Sequence, residues 1–273
     1  MNRTALGSRL RRGPLLETYI RHSKPRCAIL NPLFHRFRMS STQTPSAYEP
    51  FQPPISRDDW TRSDHYHNSF LIPKDEALDF ALKNSDDNGL PPIAVSPAQG
   101  KLLNLIARSI NAKRIIEVGT LGGYSTIWLA RALPEDGKLV TAELEQKHAD
   151  VARANLEHAG QSKKVEILVG SAAESLAKLK AEPPYDLVFI DADKVSTLTY
   201  FLEAKRLLRN GGVVIVDNVV REGRVADPND TSESSVGIRK LLEHLKNDRE
   251  VDATTIATVG EKAYDGFLYA VLQ

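Results

Sequence analysis

The sequence is poor in cysteine, and this scarcity limits the kinds of site that it can build. Cys27 is the only cysteine among 273 residues, so neither an intrachain disulfide nor a cysteine-based zinc site is available. A reducing compartment such as the cytosol or the mitochondrial matrix fits this composition. The chain also lacks a run of about 18 apolar residues, so we expect no membrane-spanning segment.

A large net charge is absent as well. Lysine and arginine number 36 and aspartate and glutamate 35, which leaves a formal charge of +1. This balance argues against nucleic acid or a membrane surface as a partner. With 41% hydrophobic and 26% charged residues, the chain suits one globular domain plus an appendage.

The appendage is the N-terminal segment, because the basic residues are concentrated there. Residues 1–48 carry nine arginines and lysines against one acid, Glu17, together with several serines and threonines. This composition resembles a mitochondrial transit peptide, but a leader ahead of a second start at Met39 explains it equally well. We therefore expect a cytoplasmic protein, or one imported into mitochondria through residues 1–38, with its folded domain at residues 49–273.

Short β-rich runs alternate with helical runs along the middle of the chain. The helical runs repeat apolar residues at helical spacing, as Ile127 and Ala130 do. Five strands separated by helices imply a parallel sheet covered on both faces, since parallel neighbours need crossover connections. The sequence therefore predicts a doubly wound α/β domain. Its predicted buried strands are 114–118, 139–143, 165–169, 187–190 and 213–216.

Different elements flank this core. We predict a helical cap at about residues 60–110, with one helix opening at Asp75 and another N-capped by Ser96. At the other end, residues 253–259 and 266–272 predict two strands joined only by a loop, which suggests an antiparallel pair at one sheet edge. The mostly parallel sheet would then have seven strands.

Three further features predict where elements end. Gly160 and Gly211 stand where helix C-terminal glycines belong. Residues 226–235 are rich in aspartate, serine and threonine and predict a mobile loop, which would be either a substrate lid or a linker.

A glycine-rich turn follows the first predicted strand. Residues 117–125 read Glu-Val-Gly-Thr-Leu-Gly-Gly-Tyr-Ser, and Gly119 allows a sharp turn and a close approach of the backbone to a ligand. Tight packing alone would also explain such a turn. The phosphate-binding pattern Gly-x-Gly-x-x-Gly of dinucleotide sites is not reproduced.

Two acids make a nucleoside the better ligand for this turn. Glu143 ends the second predicted strand, 24 residues beyond Gly119, where a carboxylate can accept hydrogen bonds from both hydroxyls of a ribose. Glu117 just before the turn would suit the positive amino group of a methionine moiety, or would serve as a structural hydrogen-bond acceptor.

Polar side chains follow the fourth and fifth predicted strands. Asp191 ends one strand, and Asp217 and Asn218 follow the other. Because the carboxyl ends of adjacent parallel strands meet at one edge of a sheet, we expect the three to lie together. Three oxygen donors suit a hard cation, Mg²⁺ first and Ca²⁺ or Mn²⁺ as alternatives. For any one acid, a helix N-cap or a surface position is the competing interpretation.

Lys194 lies three residues beyond Asp191, on the turn into the next helix. Its amine could reach a substrate oxygen bound to the same metal. Beside a cation, like-charge repulsion and desolvation favour a neutral lysine, which can act as a general base. An ordinary surface lysine is the alternative interpretation.

Together these motifs resemble the cation-dependent O-methyltransferases, the family that includes catechol and caffeoyl-coenzyme A O-methyltransferases. The resemblance covers about residues 66–273 and extends to the terminal Tyr264-Asp265-Gly266. It implies a Rossmann-like methyltransferase fold, S-adenosylmethionine as cofactor, a small catechol-like or phenolic acceptor, and a homodimer. A coenzyme A ester is a poor fit, because residues 219–224 lack the aromatic side chains of plant relatives that act on such esters.

The resemblance also implies roles for individual residues. In the implied mechanism two neighbouring substrate oxygens lie on the metal, and Lys194 removes a proton from one of them. Metal coordination orients that oxygen towards the methyl group of the cofactor. The implied catalytic residues are Lys194 and Asp191, the metal ligands Asp191, Asp217 and Asn218, and the cofactor-binding residues Val95, Glu117, Gly119, Thr120, Ser125, Glu143, Ala172 and Asp193.

Three competing functions follow from the same sequence. A nicotinamide-dependent dehydrogenase is disfavoured by the glycine turn and leaves the acids at the strand ends unexplained. A nucleic-acid methyltransferase is suggested by Pro183-Pro184-Tyr185, but this element precedes a strand instead of ending one, and the core has no basic stripe. A catalytically degenerate module that only binds a partner would keep the fold without the chemistry.

Overall fold

The computed structural model describes residues 55–273. The predicted leader at residues 1–48, with its alternative start and import signal, lies outside the described residues. Between residues 55 and 273, no helix combines the length and the apolar character that crossing a bilayer requires.

Eight α-helices and seven strands make up the described domain, with one 3₁₀ segment, Arg221–Ala226. The helices are α1 (Arg57–Leu71), α2 (Glu76–Asp87), α3 (Pro97–Ser109), α4 (Tyr124–Ala132), α5 (Gln146–His158), α6 (Ala172–Lys178), α7 (Thr197–Leu207) and α8 (Glu233–Leu245). The strands are β1 (Arg114–Val118), β2 (Lys138–Glu143), β3 (Val165–Val169), β4 (Tyr185–Ile190), β5 (Leu208–Val216), β6 (Val251–Gly260) and β7 (Ala263–Leu272).

The strands form one sheet in the order β3-β2-β1-β4-β5-β7-β6. The first five strands run parallel, and β7 pairs antiparallel with both β5 and β6. This confirms the predicted α/β sheet with an antiparallel pair at the C-terminal edge. Since the chain winds outward in both directions from β1 and β4, the sheet has its topological switch point between these two strands, where ligands bind in such folds.

The central strands are buried on both faces, which explains their nearly continuous apolar sequences. Neighbouring residues point to opposite faces. Ile116 and Val188 join a core layer with Phe201 of α7, whereas Ile115 and Phe189 belong to the layer on the other side of the sheet. The sheet therefore forms a rigid middle layer, and its carboxyl edge can hold side chains in fixed positions.

Helix starts in the cap follow the predictions. Asp75 caps α2 by accepting the backbone N–H groups of Ala77 and Leu78, and Ser96 caps α3 by accepting that of Gln99. Gly160 follows the last turn of α5 with a φ of +67°, as expected for a helix C-terminal glycine.

Two predictions of element ends were wrong. Gly211 does not end a helix: α7 stops at Leu207, and Gly211 lies in the irregular first half of β5, where the pairing register with β4 shifts. Residues 226–235 are not one loop, because α8 begins at Glu233 and Ser235 is fully buried. The connecting loop is therefore limited to residues 227–232.

Candidate active site

The glycine-rich turn sits at the switch point of the sheet. Gly119 follows β1 with a φ of +97°, and a Cβ at this position would lie 2.0 Å from the carbonyl oxygen of Asp191 at the end of β4. Only glycine allows the two strand ends to approach so closely. The turn and the Asp191 segment are thereby brought side by side.

Glu143, the predicted ribose acid, also holds this turn. Its Oε2 accepts the N–H groups of Thr120 (3.2 Å) and Leu121 (2.8 Å), and its Oε1 accepts that of Glu145 at 3.0 Å. A carboxylate has about four acceptor positions. Three are taken by these N–H groups and Nδ1 of His148 lies 3.4 Å from Oε1, so one position at most remains for a ribose hydroxyl. Contact with the cofactor remains a prediction for Glu143.

Glu117 is fully buried beneath the turn. Three hydroxyl groups donate to its carboxylate, those of Ser125 (2.7 Å), Thr126 (2.5 Å) and Thr141 (2.8 Å). Burial raises its pKa to about 7 against the opposing effect of these hydrogen bonds. The structure thus gives Glu117 and Ser125 a structural role, and their contact with a cofactor remains a prediction.

The other predicted cofactor residues lie on loops and helix starts at the same sheet edge. Val95 is buried just ahead of α3, and Ala172 is the first residue of α6, where a helix leaves its N–H groups free. Asp193 is engaged already: its carboxylate accepts the N–H of Ser196 (2.8 Å) and the hydroxyl of Tyr200 (2.5 Å). Partial burial raises the pKa of Asp193, but these hydrogen bonds outweigh it, so the net shift is downward.

The predicted reactive residues come together at the ends of β4 and β5. Asp191 and Asp217 follow directly on these paired strands, and the N–H of Asp217 donates to the carbonyl of Ile190 at 2.9 Å. Lys194 turns back towards Asp191, with 2.9 Å between its Nζ and the carboxylate Oδ1. Its side chain is only 8% exposed, which contradicts the alternative of an ordinary surface lysine.

Asp217 lies in an unfavourable position for a charge. Its burial raises its pKa to about 7, and the negative charge of Asp191 raises it further, while Lys194 opposes the shift. Gln99 of α3 donates its Nε2 to one carboxylate oxygen at 2.7 Å. The other oxygen accepts the N–H of Asn218 at 2.8 Å.

Asn218 adopts a left-handed conformation with a φ of +57°, which is uncommon for any residue but glycine, although asparagine tolerates it best. Its Nδ2 donates to Asp265 of β7 at 3.1 Å. Within residues 55–273, no group of three or more acidic, histidine or cysteine side chains is placed to hold a metal. The candidate cation site instead consists of two acids and one amide.

Three residues that shape this site were assigned no role in it from the sequence: Gln99, Gly237 and Asp265, the last of which was noted only as part of the family resemblance. Gly237 lies in α8, where a Cβ would come 2.0 Å from the carbonyl oxygen of Lys194, so this glycine allows α8 to pack against the lysine turn. A signal for α8 was present, since Ile238 and Leu241 recur at helical spacing. Nothing in the sequence indicates that Gln99 reaches the end of β5.

Comparison with known proteins assigns the family. A family model described as O-methyltransferase matches residues 73–266. A catechol O-methyltransferase of Mycobacterium tuberculosis is 47% identical over 210 residues, which cover 77% of this chain and 94% of that protein.

Solved structures agree with this. The Bacillus cereus O-methyltransferase in complex with S-adenosylhomocysteine is 45% identical, with a TM-score of 0.77 and coverage of 80% of this chain and 100% of that one. The O-methyltransferase TomG from Streptomyces achromogenes, involved in tomaymycin synthesis and solved with S-adenosylmethionine, is 45% identical, with a TM-score of 0.78 and coverage of 81% and 100%. The chain therefore belongs to the family of S-adenosylmethionine-dependent O-methyltransferases.

Proposed function

We propose that this enzyme methylates a hydroxyl of a small catechol-like acceptor, with S-adenosylmethionine at the glycine turn and a divalent cation held by Asp191, Asp217 and Asn218. The observation that carries the proposal is the position of these residues directly after β4 and β5, with the buried Lys194 paired to Asp191 next to the switch point of the sheet. Methyl donor and acceptor would thus meet at the ends of β1, β4 and β5.

The side chains present fit a hard cation. Asp191 and Asp217 repel each other in a partly desolvated pocket, as the raised pKa of Asp217 indicates. A divalent ion would relieve this repulsion, and carboxylate and amide oxygens are the ligands that Mg²⁺, Ca²⁺ and Mn²⁺ take. Mg²⁺ is our first choice, with Ca²⁺ and Mn²⁺ as alternatives. When bound, such an ion stabilises a deprotonated hydroxyl and fixes its orientation.

The turn after β1 fits the cofactor. Gly119 lets the turn pack directly against the backbone of Asp191, and Glu143 stands at the end of β2, where it accepts the N–H of Thr120. Val95, Ala172 and Asp193 border the same edge of the sheet. The buried Glu117 would contribute by fixing Ser125 and the start of α4.

In the proposed mechanism, Lys194 is the base. Its amine lies at the end of β4, at hydrogen-bond distance from Asp191, and α8 covers its backbone through Gly237. In its neutral form, Lys194 would accept the proton of the acceptor hydroxyl at Nζ. S-adenosylmethionine held at the turn would supply the methyl group to the acceptor oxygen and leave as S-adenosylhomocysteine. Asp191 keeps the lysine in place before the acceptor arrives.

A catechol-like acceptor is supported by two observations. Two neighbouring hydroxyls match a cation that has only three protein ligands, since further positions remain for substrate or water. The Mycobacterium tuberculosis relative at 47% identity is named a catechol O-methyltransferase.

The test is methyl transfer from labelled S-adenosylmethionine to a panel of catechols, caffeate and flavonoids, with Mg²⁺ and with EDTA. We expect activity that EDTA abolishes and metal restores. Lys194→Ala should lower turnover sharply with little change in cofactor affinity, whereas Lys240→Ala, on the exposed face of α8, is the matched control and should keep full activity. An active Lys194→Ala enzyme would remove lysine from the base role. Cofactor binding without transfer to any acceptor would favour a binding module instead.

We also propose that the enzyme is a homodimer. Helix α1 has no buried residue, and it presents Tyr66, Phe70 and Leu71 to solvent, with Phe70 72% exposed. The edge strand β6 is exposed from residue 252 to residue 259, and such edges are usually paired or protected. Light scattering coupled to size-exclusion chromatography should give twice the chain mass of 30.2 kDa. A single-chain mass at micromolar concentration would contradict the dimer.

A further inference from the structure

The side chain of Asn218 is held by one specific contact. Its Nδ2 donates to Oδ2 of Asp265 at 3.1 Å. A carboxylate can only accept hydrogen bonds, so this contact requires the NH₂ end of the amide to face Asp265. The Oδ1 of Asn218 is consequently directed away, and no donor among residues 55–273 occupies it. A metal-binding asparagine needs this arrangement, because it coordinates through oxygen.

The other oxygen of Asp265 holds the backbone of the same segment. Its Oδ1 accepts the N–H groups of Val220 (3.2 Å), Arg221 (2.7 Å) and Gly266 (2.9 Å). The pairing of β5 with β7 ends at Val216, so Asp265 lies just beyond it. One carboxylate therefore ties the chain that leaves β5 to the start of β7.

This segment needs such a restraint, because its backbone is strained. Asn218, Arg221 and Glu222 have φ values of +57°, +53° and +58°. A left-handed conformation of a residue other than glycine persists only where the surroundings hold it. Asn218, Val220 and Arg221 of this turn donate to the carboxylate of Asp265, and the N–H of Val219 donates to the carbonyl oxygen of Gly266.

We propose that Asp265 is a positioning residue that sets the amide of Asn218 with its oxygen towards the divalent cation. The inference rests on the proposed metal site and assigns to Asp265 a role in metal affinity. Residues that orient metal ligands typically contribute about 10- to 100-fold to affinity. Asp265 would do so from β7, a strand that contributes none of the proposed metal ligands.

The substitution Asp265→Asn tests the orientation of the Asn218 amide while the hydrogen bonds that support the turn are kept. The new amide keeps an oxygen for the three backbone N–H groups and places its NH₂ where Oδ2 faced Asn218. The opposite orientation of the new amide is unfavourable, because its NH₂ would then face the three backbone N–H groups, which are also donors. The amide of Asn218 must therefore rotate to present its own oxygen as acceptor, and this removes that oxygen from the cation without loss of a hydrogen bond in the fold.

The experiment measures Mn²⁺ affinity directly, by electron paramagnetic resonance of free Mn²⁺ or by titration calorimetry, without acceptor or turnover. We expect Asp265→Asn to weaken Mn²⁺ binding about 10- to 100-fold. Its unfolding temperature and its affinity for S-adenosylmethionine should stay near those of the wild-type enzyme.

A second substitution gives the rescue. In Asp265→Asn combined with Asn218→Asp, the new amide donates to one oxygen of the new carboxylate and leaves the other for the cation. Mn²⁺ affinity should return to within a few-fold of wild type, and this return would support the assignment.

Three outcomes would overturn it. Equal Mn²⁺ affinity in the wild type and Asp265→Asn refutes the positioning role while the metal site stands, and so does a loss that Asn218→Asp does not reverse. A wild-type enzyme that binds no Mn²⁺ refutes the metal site itself, and this inference with it.

Discussion

Replacing Glu117 with glutamine should change how the stability of this enzyme depends on pH. The carboxyl of Glu117 is fully buried between β1 and α4, and burial raises its pKa to about 7. In the unfolded chain the same group has a pKa near its ordinary value of 4.5. Between these two values the native protein keeps a proton that the unfolded chain has released.

The sign and the size follow from this difference. Because the native state binds the extra proton, the stabilising contribution is fully present below about pH 4.5 and is lost as the pH rises through about 7. A difference of about 2.5 pKa units at about 1.36 kcal/mol per unit amounts to roughly 3 kcal/mol. Glutamine is uncharged at every pH and has nearly the same shape as glutamate, so the stability of Glu117→Gln should not fall in this way as the pH rises.

The assay is urea unfolding of the wild type and Glu117→Gln at four pH values from 5 to 8. The difference in unfolding free energy should move in favour of the variant by about 2.5 kcal/mol over this range, because part of the loss has already occurred below pH 5. Other titrating groups contribute to both proteins and largely cancel. Glu157→Gln, on the exposed face of α5, is the control and should follow the wild type. A difference that stays constant from pH 5 to 8 would refute the reasoning, because Glu117 would then not change its charge in this range.

Three further substitutions test the packing around the site. Gly119→Ala should destabilise the fold more than Gly170→Ala in thermal unfolding, because both glycines have positive φ but only the first would overlap a backbone oxygen of β4; equal losses would contradict this. Gly237→Ala should lower kcat, because the added Cβ would lie 2.0 Å from the carbonyl oxygen of Lys194 and would push either α8 or Lys194 out of place. Unchanged kinetics would show that this contact is dispensable. Arg239→Lys should expose the loop before α8 to proteolysis, because the guanidinium donates to the carbonyl oxygens of Asp227 and Asp230 in this loop and to two carbonyl oxygens of the preceding 3₁₀ segment. Wild-type resistance would argue that the loop is ordered by other contacts.

The parallel strands could be predicted because they are short apolar runs between polar turns. β1 and β3 have the predicted bounds, 114–118 and 165–169. β5 begins earlier than predicted. Its first half contains Asn210-Gly211-Gly212, a sequence typical of a turn, and this half of the strand pairs with β4 only at Leu208. The periodicity of α8 was present but followed a polar stretch that was interpreted as a loop. Local patterns therefore failed most where a regular element includes residues typical of turns, and they placed the starts of β4 and β7 two and three residues too late.

The candidate site divides in the same way. Asp191, Asp217 and Asn218 could be placed together from the sequence, because parallel strands bring their carboxyl ends to one edge. The sequence could not predict that Glu117 is buried or that three hydroxyl groups donate to it, since two of these donors come from α4 and one from β2.

The sequence by itself determined the α/β class, the positions of the strand ends and the chemical character of the groups that follow them, because these depend on local periodicity and on residue type. Only the tertiary structure decided which groups support them. Gln99 reaches Asp217 from 118 residues away and Asp265 reaches Asn218 from 47 residues away. The physical reason is that these two hydrogen bonds depend on how α3 and β7 pack against β5, and no periodic pattern of residues along the chain predicts that packing.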